Sequence, residues 1–254
     1  MSVKSEFQEY LSPPRFERLV DRKVVIIGAG HVGATTAYAL LQSGLATDIV
    51  LVDIDQPRAE GQVLDLNHAM PFAHPTRITT GTISDCKDAA AVVVTAGANQ
   101  KPGETRLDLA QKNASVFESM IPEISSFDPG ILLIVTNPVD VLTYLSIQLS
   151  NLPPQKIIGS GTVLDTARFR YLIGNHCNVS PGNVHGYVVG EHGDSEVAMW
   201  SQVTIAGQSF DDFYTLPDRD KLKQDITHQV KTAAYEIIKR KGATDFAVGM
   251  AVVN

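Results

Sequence analysis

Two short stretches hold residues whose types and spacing suit proton transfer: Gly190-Glu-His-Gly-Asp194 and Asp165-Thr-Ala-Arg168. A histidine titrates near neutrality and can pass a proton, yet a lone histidine is more often a surface or core residue than a catalyst. The Asp165–Arg168 pair changes that weighing. Three residues apart on a helix, an acid and an arginine share one face. A carboxylate that orients the imidazole of His192, beside a guanidinium that grips a carboxylate in bidentate fashion, is what reduction of a 2-oxo acid requires.

A second constellation is Gly28-Ala-Gly-His-Val-Gly33. A GxGxxG match alone is weak, because glycine-rich turns are common. Here a β-branched run at 23–27 precedes it and a helical stretch at 34–43 follows. Asp53 closes the next apolar run, 53 − 33 = 20 residues on. Gly28 permits the tight turn, Gly30 lets the backbone approach a pyrophosphate, and Gly33 permits close helix–sheet packing. The helix N-terminus supplies partial positive charge for phosphates. Asp53 can accept from both ribose hydroxyls and would repel a 2′-phosphate, which selects NAD over NADP. Gly97 and Ala98 follow the apolar run at 91–95, where the crevice of such a sheet opens. Arg58 reads equally as an adenine-side contact or a solvated helix arginine. Lys101-Pro-Gly-Glu-Thr-Arg106 is a basic-tipped loop after the crevice strand, or simply a solvated one. Asn137, at the end of a further strand, could hold a nicotinamide or a substrate hydroxyl.

These residues need a scaffold, and the pattern supplies one. Strands are expected at 23–27, 48–53, 77–82, 91–95, 131–136 and 156–159. Helices are expected at 34–43, 58–68, 107–127, 139–149 and 164–175. Strands alternating with helices mean a doubly wound parallel sheet of the Rossmann type. After Pro153-Pro154 the texture changes: strands at 186–190 and 202–205 suit an antiparallel arrangement, followed by a charged helix at 218–240 and a buried one at 245–253. The fold class is therefore α/β, with an N-terminal arm (1–22), an NAD-binding domain (23–159) and an α+β substrate domain (160–254). The last helix lacks a cap and closing elements, so the second domain is expected to be incomplete, as in a fragment or truncated gene product.

The chain has 254 residues, 44% hydrophobic and 19% charged, with mean hydropathy +0.01. That is ordinary for a soluble globular protein with a sizeable core. A formal charge of −7 argues against a nucleic-acid or anionic-membrane surface. Two cysteines, Cys86 and Cys177, make neither a disulfide framework nor a zinc spacing, so a reducing, cytoplasmic setting is expected. No signal peptide and no apolar run long enough for a membrane helix is visible. Three other patterns lead elsewhere and are set aside. Tyr235 and Lys239 fit the YxxxK of short-chain reductases but lie in the charged helix. Ser160 is not in a GxSxG elbow. His185, His192 and Asp194 lack any supporting metal motif.

GAGHVG, TAGANQKPGETR, TNPVD, LDTARFR and GEHGD, in this order, resemble the L-lactate dehydrogenases of the lactate/malate dehydrogenase family. The resemblance covers the chain from about residue 20 to Asn254. It implies hydride transfer between (S)-lactate and NAD, giving pyruvate and NADH. His192 would be the proton donor and acceptor, Asp165 its orienting acid, and Arg106 the residue that polarises the carbonyl. Arg168 would clamp the substrate carboxylate, with Asn137 and Thr244 lining the pocket. Gln100 occupies the position that separates lactate from malate enzymes. Val32 and Val135 would join Gly28, Gly30, Gly33, Asp53, Arg58, Gly97, Ala98 and Asn137 around the cofactor. The resemblance further implies a homotetramer, in which Arg170 and His185 match positions that bind fructose 1,6-bisphosphate in allosteric bacterial members. Two rivals stand beside this reading: a dehydrogenase for a bulkier 2-hydroxy acid, and a non-catalytic NAD-binding protein.

Overall fold

Short β-branched runs carry apolar side chains on both faces of the pleat, so their strands have to be covered on both sides. In the computed structural model, which describes residues 22–98 and 106–254, six such strands form one parallel sheet. They are β1 (Lys23–Ile27), β2 (Asp48–Val52), β3 (Arg77–Thr80), β4 (Ala91–Val94), β5 (Ile131–Ile134) and β6 (Ile157–Gly159). Their order is β3-β2-β1-β4-β5-β6. β1 shows the two-sided burial most plainly. Val25 and Ile27 enter one core with Val92, Phe117 and Ile121, while Val24 and Ile26 enter the other with Leu41 and Ile49. The chain winds outward through β2 and β3, then returns to the middle at β4. The carboxyl ends of β1 and β4 therefore part and leave a crevice.

Four helices cover this sheet: α1 (His31–Ser43), α2 (Gln56–Ala69), α3 (Arg106–Ser125) and α4 (Val139–Leu149). α1 begins three residues before the expected 34, because Gly30 is its N-cap and the glycine loop runs straight into its first turn. It ends where expected, at Gly44, whose φ of +65° glycine tolerates and whose N–H closes on the carbonyl of Leu40.

The second part comprises α5 (Val163–Cys177), β7 (Val184–His185), β8 (Val188–Val189), β9 (Val197–Ala198), β10 (Thr204–Ile205) and β11 (Gln208–Ser209), then α6 (Phe210–Phe213), α7 (Arg219–Lys241) and α8 (Phe246–Val253). The expected single strand at 186–190 is corrected to two. β7 joins a three-stranded antiparallel sheet with β10 and β11, whereas β8 pairs only with β9. Gly186 separates them; it lies against the Phe169 ring, where a Cβ would come within 3.1 Å. The strand expected from 202 starts at Thr204, after a 3-10 turn at Trp200–Gln202. α7 is the charged helix, and it buries only Leu222, Ile226 and Val230, one side chain per turn.

The helix expected to be buried at 245–253 is not. Of α8 only Gly249 is buried, and Phe246 and Met250 are largely exposed. A helix that is apolar all round turns one face to α1 and the other outward. Gly249 marks the crossing, since a Cβ there would lie 2.8 Å from the Thr35 side chain. Cys86 and Cys177 are free, and burial pushes the Cys86 thiol up to about 12, which leaves it without thiolate character. Among the described residues no helix is long and apolar enough to cross a membrane.

Candidate active site

α5 and β8 are stitched together, and this brings the two chemical stretches into contact. Thr162 Oγ1 donates to the Val188 carbonyl at 2.7 Å, and the Val188 N–H donates to Thr166 Oγ1 at 3.0 Å. The chain leaving β8 enters the His192 loop, where Gly190 (φ +95°) and Gly193 (φ +152°) take conformations that favour glycine. His192 Nδ1 then lies 2.5 Å from Asp165 Oδ2. Arg168 Nη1 donates to the other oxygen of the same carboxylate at 2.9 Å. Asp165 is buried, and one anion there faces a guanidinium and an imidazole. The main-chain N–H of His192 donates to Asp140 Oδ2 at 2.8 Å, which ties the loop to the first turn of α4.

The hydrogen bond that His192 Nδ1 donates to Asp165 holds the imidazole above its ordinary value, against the opposing pull of burial and the Arg168 charge. With Nδ1 committed to the carboxylate, Nε2 is the nitrogen left to exchange a proton. Glu196 is buried in the same cluster. Burial first, then the Asp165 charge, pushes its carboxyl up to about 7.

The crevice at the ends of β1 and β4 is lined by the glycine loop, and its residues fit a dinucleotide. At Gly28 (φ +108°) a Cβ would strike the Ala96 nitrogen at 2.6 Å, and at Gly33 one would lie 1.8 Å from the Gly28 carbonyl oxygen. Gly30 is the opposite case: a Cβ there meets nothing within 4 Å, so the space in front of it is open. Among the described residues α1 has no capping side chain and no acid in its first turn, so its N–H groups remain available to a phosphate. Asp53 Oδ2 accepts from the Ala29 N–H at 2.6 Å, and its Oδ1 from the Asp55 N–H at 2.9 Å. The aspartate thus anchors the glycine loop while presenting its charge to the crevice.

Comparison with known proteins decides the kinship. Residues 22–159 match the lactate/malate dehydrogenase, NAD binding domain, and residues 162–254 match the lactate/malate dehydrogenase, alpha/beta C-terminal domain. The chain belongs to the lactate/malate dehydrogenase family. Within that family it is 53% identical over 237 residues to the L-lactate dehydrogenase of Acetivibrio thermocellus, covering 92% of this chain and 75% of that one. It is 50% identical to a probable L-lactate dehydrogenase of Schizosaccharomyces pombe, covering 91% and 72% respectively. The crystal structure of minor L-lactate dehydrogenase from Enterococcus mundtii, in a ligands-bound form, superposes with a TM-score of 0.86 at 45% identity. That likeness covers 91% of this chain and 75% of the other. The chain therefore spans about three quarters of the length of these dehydrogenases.

The remaining candidate residues fall in several places. Gly97 and Ala98 close the β4 side of the crevice, Val135 is buried just past β5, and Asn137 is exposed beside it. Val32 lies half-buried in the first turn of α1. Thr244 occupies the turn between α7 and α8, next to Asp245, whose carboxylate is 4.0 Å from His31 Nδ1. The structure thus places Thr244 by the glycine loop, and among the described residues no hydrogen bond joins it to His192. Arg58 is exposed and paired with Asp55 on its own helix at 3.3 Å. Arg170 donates to the Gly186 carbonyl at 3.0 Å and lies over the Tyr187 ring, while His185 is exposed on β7. Gln100 and the side chain of Arg106 lie outside the described residues.

Three residues of the site carried no sequence signal strong enough to assign them. Asn113 is buried inside α3; its Oδ1 accepts from the Ala98 N–H at 2.7 Å and its Nδ2 donates to the Asn137 carbonyl at 2.8 Å. It joins the two crevice loops. Asp140 looks like an ordinary acid in a helix first turn until His192 is seen above it. Glu196 is the third.

Proposed function

We propose that this chain catalyses the reversible, NAD-dependent interconversion of (S)-lactate and pyruvate. One observation carries the reading: a buried carboxylate holds an imidazole on one oxygen and a guanidinium on the other, in a chain about half identical to curated L-lactate dehydrogenases. NAD, when bound, supplies the hydride acceptor of lactate oxidation and, as NADH, the hydride donor of pyruvate reduction. It would be held by Gly28, Gly30, Val32, Gly33, Asp53, Gly97, Ala98, Val135 and Asn137. The exposed pairing of Arg58 with Asp55 supports a solvated role for that arginine over an adenine contact.

In the reduction, protonated His192 donates from Nε2 to the substrate oxygen as negative charge develops there; in oxidation the neutral ring takes the proton back. Asp165 keeps the tautomer fixed and balances the imidazolium. Arg168 spends one N–H on Asp165, and its remaining donors meet the substrate carboxylate. Arg106, the first residue of α3, would polarise the carbonyl, and Asn137 and Thr244 would line the pocket. The neutral amide of Gln100, at the sequence position that separates lactate from malate enzymes, suits the pyruvate methyl group and offers a second carboxylate no charge to pair with. Incubation with pyruvate and NADH, followed by chiral analysis, tests this: (S)-lactate is expected, and (R)-lactate or no product overturns it.

Regulation belongs to the same proposal. Arg170 of α5 donates to the carbonyl of Gly186, the chain neighbour of the exposed His185, and the family resemblance of the two positions supports an anion site for fructose 1,6-bisphosphate in a cytoplasmic homotetramer. Two such cationic patches facing each other would repel until a bisphosphate bridged them. Sedimentation with and without the bisphosphate is the check: larger assemblies are expected with it, and an unchanged distribution overturns the regulatory part.

A further inference from the structure

Glu196 has no assigned part in the reaction above, yet it stands beside the groups that do. It lies between the His192 loop and β9 and is only 4% exposed. Its Oε1 is shielded from solvent and has no hydrogen-bond partner. One of its carboxylate oxygens, one from Asp165 and a ring nitrogen of His192 all lie within 4.8 Å of one another. A buried carboxylate left without a partner is costly as an anion, and placed next to a second carboxylate it is costlier still. Three such groups could be taken for a cation site. Both Asp165 oxygens are already engaged, however, one by Arg168 and one by His192.

Resting on the reading of His192 as the proton carrier, we propose that Glu196 is a positioning residue that shares its ionisation with His192. The groups facing it are Asp165 and Arg168 from α5, His192 from the loop and Lys231 from α7; Asp140 of α4 faces His192 from below. At acid pH Glu196 is neutral and adds no charge to the cluster. Its carboxyl, pushed up to about 7, loses its proton beside an imidazole that the Asp165 hydrogen bond itself holds above its ordinary value. The anion so formed stabilises the imidazolium, and the imidazolium in turn stabilises the anion. Two groups this close release their protons in two steps that belong to the pair. His192 therefore keeps its proton to higher pH than Asp165 alone would hold it, and pyruvate reduction extends further into the alkaline range.

The test is carbon-13 NMR of the chain labelled at the glutamate carboxyl and histidine Cε1 positions, with the His192 signal identified by its loss in His192→Asn. One glutamate carboxyl should titrate near neutrality, and His192 should follow a two-step curve. In Glu196→Gln the His192 curve should become single-stepped and its midpoint fall by about one pH unit, the size expected for removing one charge at this range. The wild-type and variant curves should coincide at acid pH, where protonated Glu196 and Gln are alike in charge. The other six of the seven histidines report whether the variant folds. An unmoved His192 midpoint in a folded variant overturns the proposal. If the variant does not fold, the wild-type carboxyl curve decides, and titration of every glutamate in the ordinary carboxylate range overturns it. Turnover plays no part in this readout, so absence of lactate formation would count against the proposed function alone.

Discussion

At the scale of single residues, the carboxylate of Asp165 holds Arg168 on one oxygen and His192 on the other, and the proposed proton transfer runs through His192. His192→Ala should lower turnover with pyruvate and NADH by about 10²–10⁴-fold, the usual worth of general acid–base catalysis. NADH affinity should barely change, because the hydrogen bonds of His192 go to α4 and α5 and not to the glycine loop. Steady-state kinetics with a fluorescence titration of NADH checks both halves, and near-normal turnover would remove His192 from its role. Asp53 does two jobs, so its replacement should have two effects. Asp53→Ser loses the acceptor for the Ala29 N–H and should weaken NAD binding. It also removes the charge that repels a 2′-phosphate, and the NADP-to-NAD ratio of kcat/KM should rise at least about tenfold, or roughly 1.4 kcal/mol. An unchanged ratio would mean that another residue reads the ribose.

At the scale of elements, the glycine loop gives a paired experiment. Gly33→Ala forces a Cβ to within 1.8 Å of the Gly28 carbonyl oxygen, so α1 must back away from β1. It should cost about 1–3 kcal/mol of stability as well as cofactor affinity, the range for overpacking a tight contact. Gly30→Ala meets nothing within 4 Å and has an ordinary φ of −73°, so the fold should tolerate it. NAD affinity should fall there all the same, because that open space is the proposed seat of the pyrophosphate. Equal NAD affinity in Gly30→Ala and the parent, measured by calorimetry, would put the phosphates elsewhere. The parallel sheet was legible in the sequence because apolar runs such as Lys23–Ile27 and Asp48–Val52 are buried on both faces and bounded by turn residues. The small antiparallel sheets were not. Their two-residue strands are too short for any periodicity, and the break at Gly186 is set by the Phe169 ring, which is distant in sequence. The site divides the same way. His192, Asp165 and Arg168 were legible from residue type and spacing, whereas Glu196 became visible only once folding had buried it. Asn113 left a faint trace, since asparagine is a poor residue for a helix interior.

At the scale of the whole molecule, the buried cluster couples stability to pH. The Glu196 carboxyl rises from an ordinary 4.5 to about 7, so between those values the folded chain binds a proton that the unfolded chain has lost. Stability from this group therefore falls as pH rises through that window. His192 adds to the trend, because its raised value makes a contribution that is complete below about 6.5 and lost at higher pH. Glu196→Gln removes the larger effect. Its stability relative to the parent should increase from pH 5 to pH 8 by about 1–3 kcal/mol, read from urea unfolding at the two values; an equal difference at both would contradict the assignment of the buried proton. Substrate choice is read from one ratio. With NADH saturating, kcat/KM is measured for pyruvate and for oxaloacetate on the same preparation. Pyruvate should be preferred by at least about a hundredfold, roughly 2.7 kcal/mol, because the neutral Gln100 proposed for substrate choice offers nothing to neutralise a second buried carboxylate. Equal constants, or a preference for oxaloacetate, would contradict the account.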